Sequence, residues 1–289
     1  MRRIEHRARA GAAMLRIGRG AVVTTALLGL AAPALAVSLA APAPACRIVS
    51  PDYTVALIEL YTSQGCSSCP PADRWLSGLP AGDARFRAIP LALHIGYWDY
   101  IGWKDPFARK EFNQRQYELA AFNRSRGVYT PEVFVGASEL TDWSRPEAFA
   151  RSLAAINQRA PLARIELQAR WIAPAAGSRP PDQRLSVEAH WSADPSARDP
   201  RLLLAVKRNG YVTHVEAGEN GGSMLRNDHV VRTWAGPFKA AAMPLTAELS
   251  VPAAQGDASL VAIAQDGITG AVLQAVELPL SACDAAAPR

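Results

Sequence analysis

Two long apolar runs open the patterned part of the chain and predict strands that are buried on both faces. The first is YTVALIELY, residues 53–61, and the second is FRAIPLALHI, residues 86–95. Each run is nearly continuous in apolar residues and is bounded by turn residues, as buried strands of a parallel sheet are. Between them, Trp75, Leu76 and Leu79 share one face of a predicted helix. The order strand, helix, strand predicts a parallel crossover.

Helical and strand patterns then alternate up to residue 160. Apolar spacing predicts a helix over about residues 107–126, and the run PEVFVGASELTDW, residues 131–143, predicts a strand, a turn and a second short strand. Ser144 and Glu147 form a capping box, which predicts the start of one more helix. The predicted order over residues 53–160 is therefore β-α-β-α-β-β-α.

The pattern changes beyond residue 160 to short runs of alternating apolar and polar residues. Runs such as ARIELQARW, RLSVEAHW and TAELSVP are separated by Pro, Gly, Asp and Asn. This pattern of short alternating runs is typical of a β-sandwich. We therefore expect an α/β domain over residues 53–160 and an all-β sandwich domain over residues 161–283. A leader at 37–52 and a tail at 284–289 flank them.

Residues 1–36 have the three parts of a secretory signal peptide. Six arginines and one glutamate precede the apolar run AVVTTALLGLAAPALA, which ends at the small-residue site Ala34-Leu35-Ala36. Cleavage there predicts an exported protein, periplasmic or secreted, with no membrane span, and uncleaved anchoring is the alternative. The remaining chain has equal numbers of basic and acidic residues, namely 31 less six and 26 less one. Its charge therefore gives no argument for nucleic-acid binding.

Export also decides how the four cysteines are interpreted, because disulfides persist outside the cytosol. Four cysteines allow three pairings. We favour Cys66 with Cys69, which lie close together in sequence, and Cys46 with Cys283, which would join the two ends of the mature chain. Lipidation at Cys46 is a weaker alternative, because the preceding residues lack the leucine that is usual at such a cleavage site.

The C-x-x-C pair lies directly before two prolines and the predicted helix, in the run YTSQGCSSCPPADRWL. A thiolate is the nucleophile of disulfide exchange, and a helix N-terminus stabilises a thiolate. We expect Cys66 to attack a substrate and Cys69 to resolve the mixed disulfide. No organic cofactor is needed, because the electrons pass through sulfur. An inert structural disulfide and half of a zinc site are the alternatives.

Two further positions fit this chemistry. Glu59 lies inside the first apolar strand, where a carboxylate is costly without a partner. It is interpreted either as a proton relay to Cys69 or as a side chain that faces a polar neighbour. Pro131 would be tolerated in a bend beside the active site, where a cis bond would expose the backbone of Thr130 to an extended substrate. Most X-Pro bonds are trans, so the sequence alone favours the trans form.

The aromatic loop after the second strand offers candidate substrate contacts. Trp98 and Trp103, with Tyr97 and Tyr100, could form a peptide-binding platform, or they could pack the loop itself. His94, at the end of the second strand, could face the cysteines. Cys66, Cys69 and His94 would then suit a metal such as copper. A histidine that is hydrogen-bonded within the loop is the favoured interpretation.

The runs ELYTSQGCSSCPPAD, HIGYWDYIGWKDPF and GENGGSMLRNDHVVR resemble a family of exported thioredoxin-like proteins catalogued as domain of unknown function 1223. The first run, together with GVYTPEVFV, also resembles the thioredoxin superfamily. The resemblance implies an α/β thioredoxin-like domain, Cys66 as the attacking cysteine, Cys69 as the resolving one and Pro131 as a cis-proline. Glu59 matches the buried acid of that superfamily with one extra residue before the cysteines. Gly65 replaces the aromatic residue that is usual there.

The sequence thus predicts an exported thiol-disulfide oxidoreductase that acts on protein or peptide thiols and disulfides. It needs a redox partner, which the sequence does not identify. The alternative is a non-catalytic binding module of the cell envelope, either a metal carrier that uses Cys66, Cys69 and His94 or a structural protein that binds a partner.

Overall fold

A computed structural model describes residues 46–81, 83, 85–172, 182–239, 244–252 and 257–284. The predicted signal peptide, residues 37–45 of the leader and residues 285–289 of the tail lie outside the described residues. The described residues all belong to one compact unit. The predicted domain boundary at residue 160 falls between a helix and a strand within that unit.

The described part of the chain contains fourteen strands, four α-helices and one short 3₁₀-helix, at Asp99–Ile101. The helices are α1 (Pro70–Ser77), α2 (Lys110–Phe122), α3 (Pro146–Asn157) and α4 (Ser281–Asp284). The strands are β1 (Cys46–Val49), β2 (Ala56–Thr62), β3 (Ala88–His94), β4 (Glu132–Val135), β5 (Ser138–Glu139), β6 (Ala163–Ile172), β7 (Asp182–Ala193), β8 (Pro200–Arg208), β9 (Tyr211–His214), β10 (Met224–Asn227), β11 (Val230–Lys239), β12 (Leu245–Pro252), β13 (Ala258–Asp266) and β14 (Val272–Pro279).

One eight-stranded sheet runs through both halves of the chain, in the order β14-β13-β8-β11-β3-β2-β4-β5. Strands β2 and β3 are parallel, as the crossover requires, and β4 is antiparallel to β2. Strand β11 joins the two halves, because Val230 pairs in parallel with Ala92 of β3 while β11 pairs antiparallel with β8. A second sheet has the order β1-β6-β7-β12, and β9 and β10 form a separate hairpin.

The prediction of an α/β thioredoxin-like domain followed by a separate all-β sandwich domain is wrong. The described chain is largely β, and its main sheet takes strands from both predicted domains. The edge of β3 is not free, since the Ala92 N–H donates to the carbonyl of His229 at 2.9 Å. Alternation within a strand shows which of its faces is buried, but not which strand lies beside it. The strand pattern alone therefore could not show that the two segments share a sheet.

Three apolar clusters hold these layers together. One fills the space between the two sheets, with Ile165 and Leu185 from the smaller sheet and Leu204 from the larger. A second covers one face of the main sheet, where Phe112 and Leu119 of α2 pack. The third covers the other face, against α1 and α3. The main sheet is thus buried on both sides. This explains why the sequences of β2 and β3 are nearly continuous in apolar residues.

The ends of the described chain are joined by a disulfide. Cys46 begins β1 and Cys283 lies in α4, with their Cα atoms 4.8 Å apart. Both residues are buried in the cluster between the sheets. The bond closes a loop of 237 positions. In the chain-entropy account, a loop of this length limits the unfolded ensemble strongly.

Candidate functional site

Cys66 and Cys69 lie in the short connection between β2 and α1, at the carboxyl end of β2. They are joined as a disulfide, with their Cα atoms 5.5 Å apart. The helix begins at Pro70, with Cys69 at its N-cap. Two prolines at the start fit a first turn, where a backbone donor has no partner within the helix. The N-terminus of the helix therefore lies at Cys69, and Cys66 precedes it by three residues.

Two hydroxyl groups lie close to the sulfur of Cys66. Ser68 Oγ lies 3.2 Å from Cys66 Sγ, and Thr130 Oγ1 lies 3.4 Å from it. The Trp98 indole N–H donates to Thr130 Oγ1 at 2.7 Å, which holds that hydroxyl in place. Cys66 and Cys69 are both fully buried. A substrate sulfur can therefore reach Cys66 only when covering side chains move aside.

Pro131 follows Thr130 immediately before β4. The Thr130-Pro131 peptide bond is cis, the form that the resemblance implied and that general frequencies disfavoured. The structure thus brings Cys66, Cys69, Trp98, Thr130 and Pro131 to one place.

A loop from the second half of the chain covers the C-x-x-C turn. This loop, residues 215–223 between β9 and β10, is called the strap below. Its Asn220 side chain is buried and donates to two carbonyls, of Gln64 at 2.9 Å and of Cys66 at 2.8 Å. Glu219 Oε2 accepts hydrogen bonds from the backbone N–H and the hydroxyl of Ser67, both at 2.8 Å. These bonds lower the pKa of Glu219.

Gln64 anchors the same turn to the β9–β10 hairpin. Its side-chain amide donates to Thr213 Oγ1 at 3.0 Å and to Asn227 Oδ1 at 2.9 Å. Trp103 donates from its indole nitrogen to Gln64 Oε1 at 3.3 Å. The structure therefore places Trp103 against the turn that carries the cysteines, while Tyr100 is 83% exposed on the loop surface.

A buried polar cluster lies beneath α1. His94 Nδ1 is 2.7 Å from Asp105 Oδ2, which also accepts the Gln64 N–H at 2.8 Å. Asp73 lies one helical turn after Cys69, and its N–H donates to the Cys69 carbonyl at 3.0 Å. Asp73 Oδ1 and His94 Nε2 are both buried without a hydrogen-bond partner. Unsatisfied buried groups of this kind often mark a chemical role.

The three groups of this cluster shift one another's pKa values. Burial raises the pKa of Asp73 to about 6, and the positive charge of His94 offsets part of that effect. Burial lowers the pKa of His94, but the Asp105 carboxylate raises it by more, so the pKa lies above its usual value. Burial raises the pKa of Asp105, but the His94 charge and hydrogen bonds bring it below its usual value. Asp73 is thus a buried carboxyl group with a pKa of about 6.

Glu59 faces Arg115 of α2. Arg115 Nε and Nη2 donate to its two carboxylate oxygens at 2.6 and 2.7 Å, and the Tyr61 hydroxyl donates to it at 3.0 Å. All three residues are buried. Within the described residues, no hydrogen bond joins Glu59 to either cysteine. The structure therefore agrees with the polar-neighbour interpretation of Glu59.

No metal centre forms from the candidate ligands. Among the described residues, no group of three or more His, Cys, Asp or Glu side chains is arranged to hold a metal ion. His94 instead takes Asp105 as its partner. Among the described helices, none combines the length and the hydropathy that a membrane span requires.

Several residues of this site are not predicted by the sequence pattern. The sequence gives no functional signal for Asn220 or Glu219, because both lie in a Gly-rich loop and such loops are usually hairpin connections. Nothing in the local sequence marks Asp73 or Asp105 as a functional residue, because each is a single acidic residue outside any motif. A signal did exist for Arg115, which falls on the apolar face of α2 between Phe112 and Leu119. A cation at such a position requires a buried partner.

Two solved structures resemble this one. A crystal structure of a protein from Agrobacterium tumefaciens has a TM-score of 0.52 and 21% identity, over 79% of this chain and 96% of that chain. HBP35 of Porphyromonas gingivalis has a TM-score of 0.54 and 12% identity, over 79% of this chain and 76% of that one. Identities this low show a shared fold alone. No curated protein matches this chain.

The family described as "Protein of unknown function (DUF1223)" matches residues 57–265. The match begins in β2, ends in β13 and includes Cys66, Cys69, the buried polar cluster and the strap. The chain therefore belongs to the DUF1223 family.

Proposed function

We propose that this protein is an exported thiol-disulfide oxidoreductase that acts on protein or peptide thiols and disulfides. The observation that carries the proposal is the Cys66–Cys69 pair itself, held before α1 with two hydroxyl groups within 3.2 and 3.4 Å of Cys66 Sγ. Hydroxyl donors at this distance stabilise a thiolate by charge-assisted hydrogen bonds. Export supplies the compartment where disulfides persist.

In the reductive direction, the Cys66 thiolate attacks one sulfur of a substrate disulfide. The bond between Cys66 and that sulfur forms, the substrate disulfide breaks, and the other substrate sulfur leaves as a thiolate. Cys69 then loses its proton and attacks Cys66, which forms the Cys66–Cys69 bond and releases the second substrate thiolate. The substrate gains two electrons and the protein loses two. The same steps in reverse oxidise a dithiol, and a redox partner restores the starting state.

We assign to the Asp73 carboxylate the role of accepting the proton that Cys69 loses. Residues four positions apart on a helix share a face, so the Asp73 side chain lies on the same side of α1 as Cys69. Its pKa of about 6 lets it accept a proton at neutral pH and return it when the cycle reverses. His94 and Asp105 hold the carboxylate in a charged environment, with Arg74 of α1 as a further positive charge acting on it.

An exchange assay tests the proposal. Reduced protein is mixed with a disulfide-bonded peptide, and peptide thiol release is followed together with thiol loss at Cys66 and Cys69. We expect stoichiometric release, with both cysteines oxidised. Protein thiols that stay free and titratable while the peptide stays intact would contradict the proposal.

Full burial of both sulfurs favours a second candidate, a structural protein in which the pair only fixes the turn under the strap. Asn220 and Glu219 already tie that turn to the β9–β10 hairpin. Under this candidate, the Cys66–Cys69 bond would resist reduction by mild thiols.

Asp73→Asn should slow resolution of the mixed disulfide by roughly 100-fold or more, because it removes a general base. In the unaltered protein the resolution rate should rise with pH as Asp73 ionises near pH 6, and the variant should lose that rise. Rapid-quench measurement of the mixed disulfide across pH checks both points. An unchanged rate and pH profile would show that Asp73 takes no part.

The stability of the same variant separates chemistry from misfolding. The pKa of Asp73 in the folded protein, about 6, lies above the ordinary 3.8, so the folded state holds this proton more tightly than the unfolded state does. Ionisation of Asp73 therefore costs stability as the pH rises between about 4 and 6. Asparagine does not ionise. Asp73→Asn should be more stable than the unaltered protein at pH 7, although it is slower.

A further inference from the structure

We propose that Glu219 determines substrate specificity by favouring thiol substrates with a cationic side chain next to the reacting cysteine. This inference rests on the proposed function. The carboxylate of Glu219 accepts its two hydrogen bonds from Ser67, the residue that directly follows Cys66. A negative charge is thereby fixed one residue from the reacting sulfur, although it comes from a position 152 residues away in the chain.

The strap holds this charge in a defined place. The Glu219 N–H donates to the Gly65 carbonyl at 3.3 Å, and Asn220 binds the carbonyls on either side of Gly65. Gly218 has a φ of +75°, and a Cβ atom there would lie 3.1 Å from Trp103 Cβ. The strap is thus packed closely against the aromatic loop. A charge held this way loses little freedom when a substrate binds, which favours recognition.

The charge is also available to a substrate. Glu219 is exposed, and of its two carboxylate oxygens only Oε2 accepts hydrogen bonds among the described residues. No ion pair within the described part of the chain includes Glu219. Two other acids of the site are paired with cations, Glu59 with Arg115 and Asp105 with His94.

The geometry of disulfide exchange brings a substrate side chain within reach. A substrate sulfur must come to about 2 Å from Cys66 Sγ, and its neighbouring residue then begins about 3.8 Å along the chain. A lysine or arginine at that neighbouring position can reach the Glu219 carboxylate, whereas an acidic residue there is repelled. Exposed pairs of this type change affinity by roughly 1.5- to 5-fold each.

Two peptides that differ only in one residue test the inference. Each carries a single cysteine, flanked by lysine in one and by glutamate in the other, as a mixed disulfide with the neutral thiol 2-mercaptoethanol. The kcat/KM of each peptide is divided by its rate with dithiothreitol, which corrects for intrinsic reactivity. We expect the lysine peptide to be preferred by about fivefold at low ionic strength, with the preference disappearing at about 1 M salt.

Glu219→Gln should bring the ratio between the two peptides close to one. Glutamine keeps a carbonyl oxygen for the Ser67 donors, so the turn should stay in place. Glu216→Gln is the matched control, because Glu216 is exposed on the same strap and makes no hydrogen bond to the C-x-x-C turn within the described residues. That control should keep the lysine preference.

Each other outcome has a separate meaning. Equal use of both peptides by the unaltered protein, or a preference that survives in Glu219→Gln, would overturn the inference and leave the exchange activity standing. Reaction with neither peptide would overturn the proposed function together with this inference.

Discussion

A Cys66→Ser variant is expected to lose disulfide exchange down to the uncatalysed rate, while Cys69→Ser accumulates a stable mixed disulfide. The difference follows from the two roles. Without the Cys66 sulfur no attack occurs, whereas without Cys69 the attack proceeds but the product is not released. Mass spectrometry of each variant after incubation with a disulfide-bonded peptide, together with peptide thiol release, measures both effects.

A double variant at the other pair is the matched control. Replacement of both Cys46 and Cys283 by serine removes the other disulfide, which joins the far ends of the described chain. It should keep exchange, although it should lose about 2–5 kcal/mol of stability. If instead Cys66→Ser kept its activity, or Cys69→Ser formed no adduct with the peptide, the assigned roles would be wrong.

Arg115→Met is expected to destabilise the protein by about 3–5 kcal/mol, the largest stability effect we predict. Arg115 and Glu59 are both buried and make two hydrogen bonds to each other. Removal of the guanidinium leaves a buried carboxylate without its cation, and that is costlier than replacement of both partners. Methionine is also apolar and of similar length, so the loss of packing is small.

Urea denaturation measures this effect as a lower midpoint at a constant slope. Arg145→Met is the matched control, because Arg145 pairs with Asp142 on an exposed surface and such pairs contribute about 0–1 kcal/mol. A double replacement of Glu59 and Arg115 by methionine should recover much of the lost stability. Equal destabilisation by Arg115→Met and Arg145→Met would show that the buried ion pair does not form.

The buried strands were predictable because their signal is local. Strands β2 and β3 lie within the two continuous apolar runs, and they are parallel as the intervening helix indicated. The sheet as a whole was not predictable. Strand β11 joins β3 through Val230, whose sequence neighbours carry no mark of that pairing. Nothing within either strand encodes which edge it meets.

Some residues of the candidate site could likewise be predicted from the sequence, and others could not. The C-x-x-C pair was visible because both cysteines lie on one short turn. Asp73 was overlooked because an acid in the first turn of a helix is ordinarily explained by the helix dipole. The charge of His94 acts on Asp73, and it comes from β3, a separate element that the local sequence of α1 does not reveal.

The strap depends on contacts across still longer separations. Glu219 and Asn220 meet the C-x-x-C turn because the β9–β10 hairpin packs against it through Gln64. A Gly-rich loop between two short strands predicts a hairpin turn and no more. The local pattern therefore located the C-x-x-C pair, while the groups around it are brought there by the tertiary structure.

The central claim is that the Cys66–Cys69 pair is redox-active. Thiol titration in graded glutathione buffers tests it most directly, with free thiols trapped and assigned to cysteines by peptide mass. We predict that Cys66 and Cys69 interconvert between thiol and disulfide within the range of the buffers, while Cys46 and Cys283 stay joined throughout. A Cys66–Cys69 bond that stays closed across the whole series would contradict the account and assign the pair a structural role.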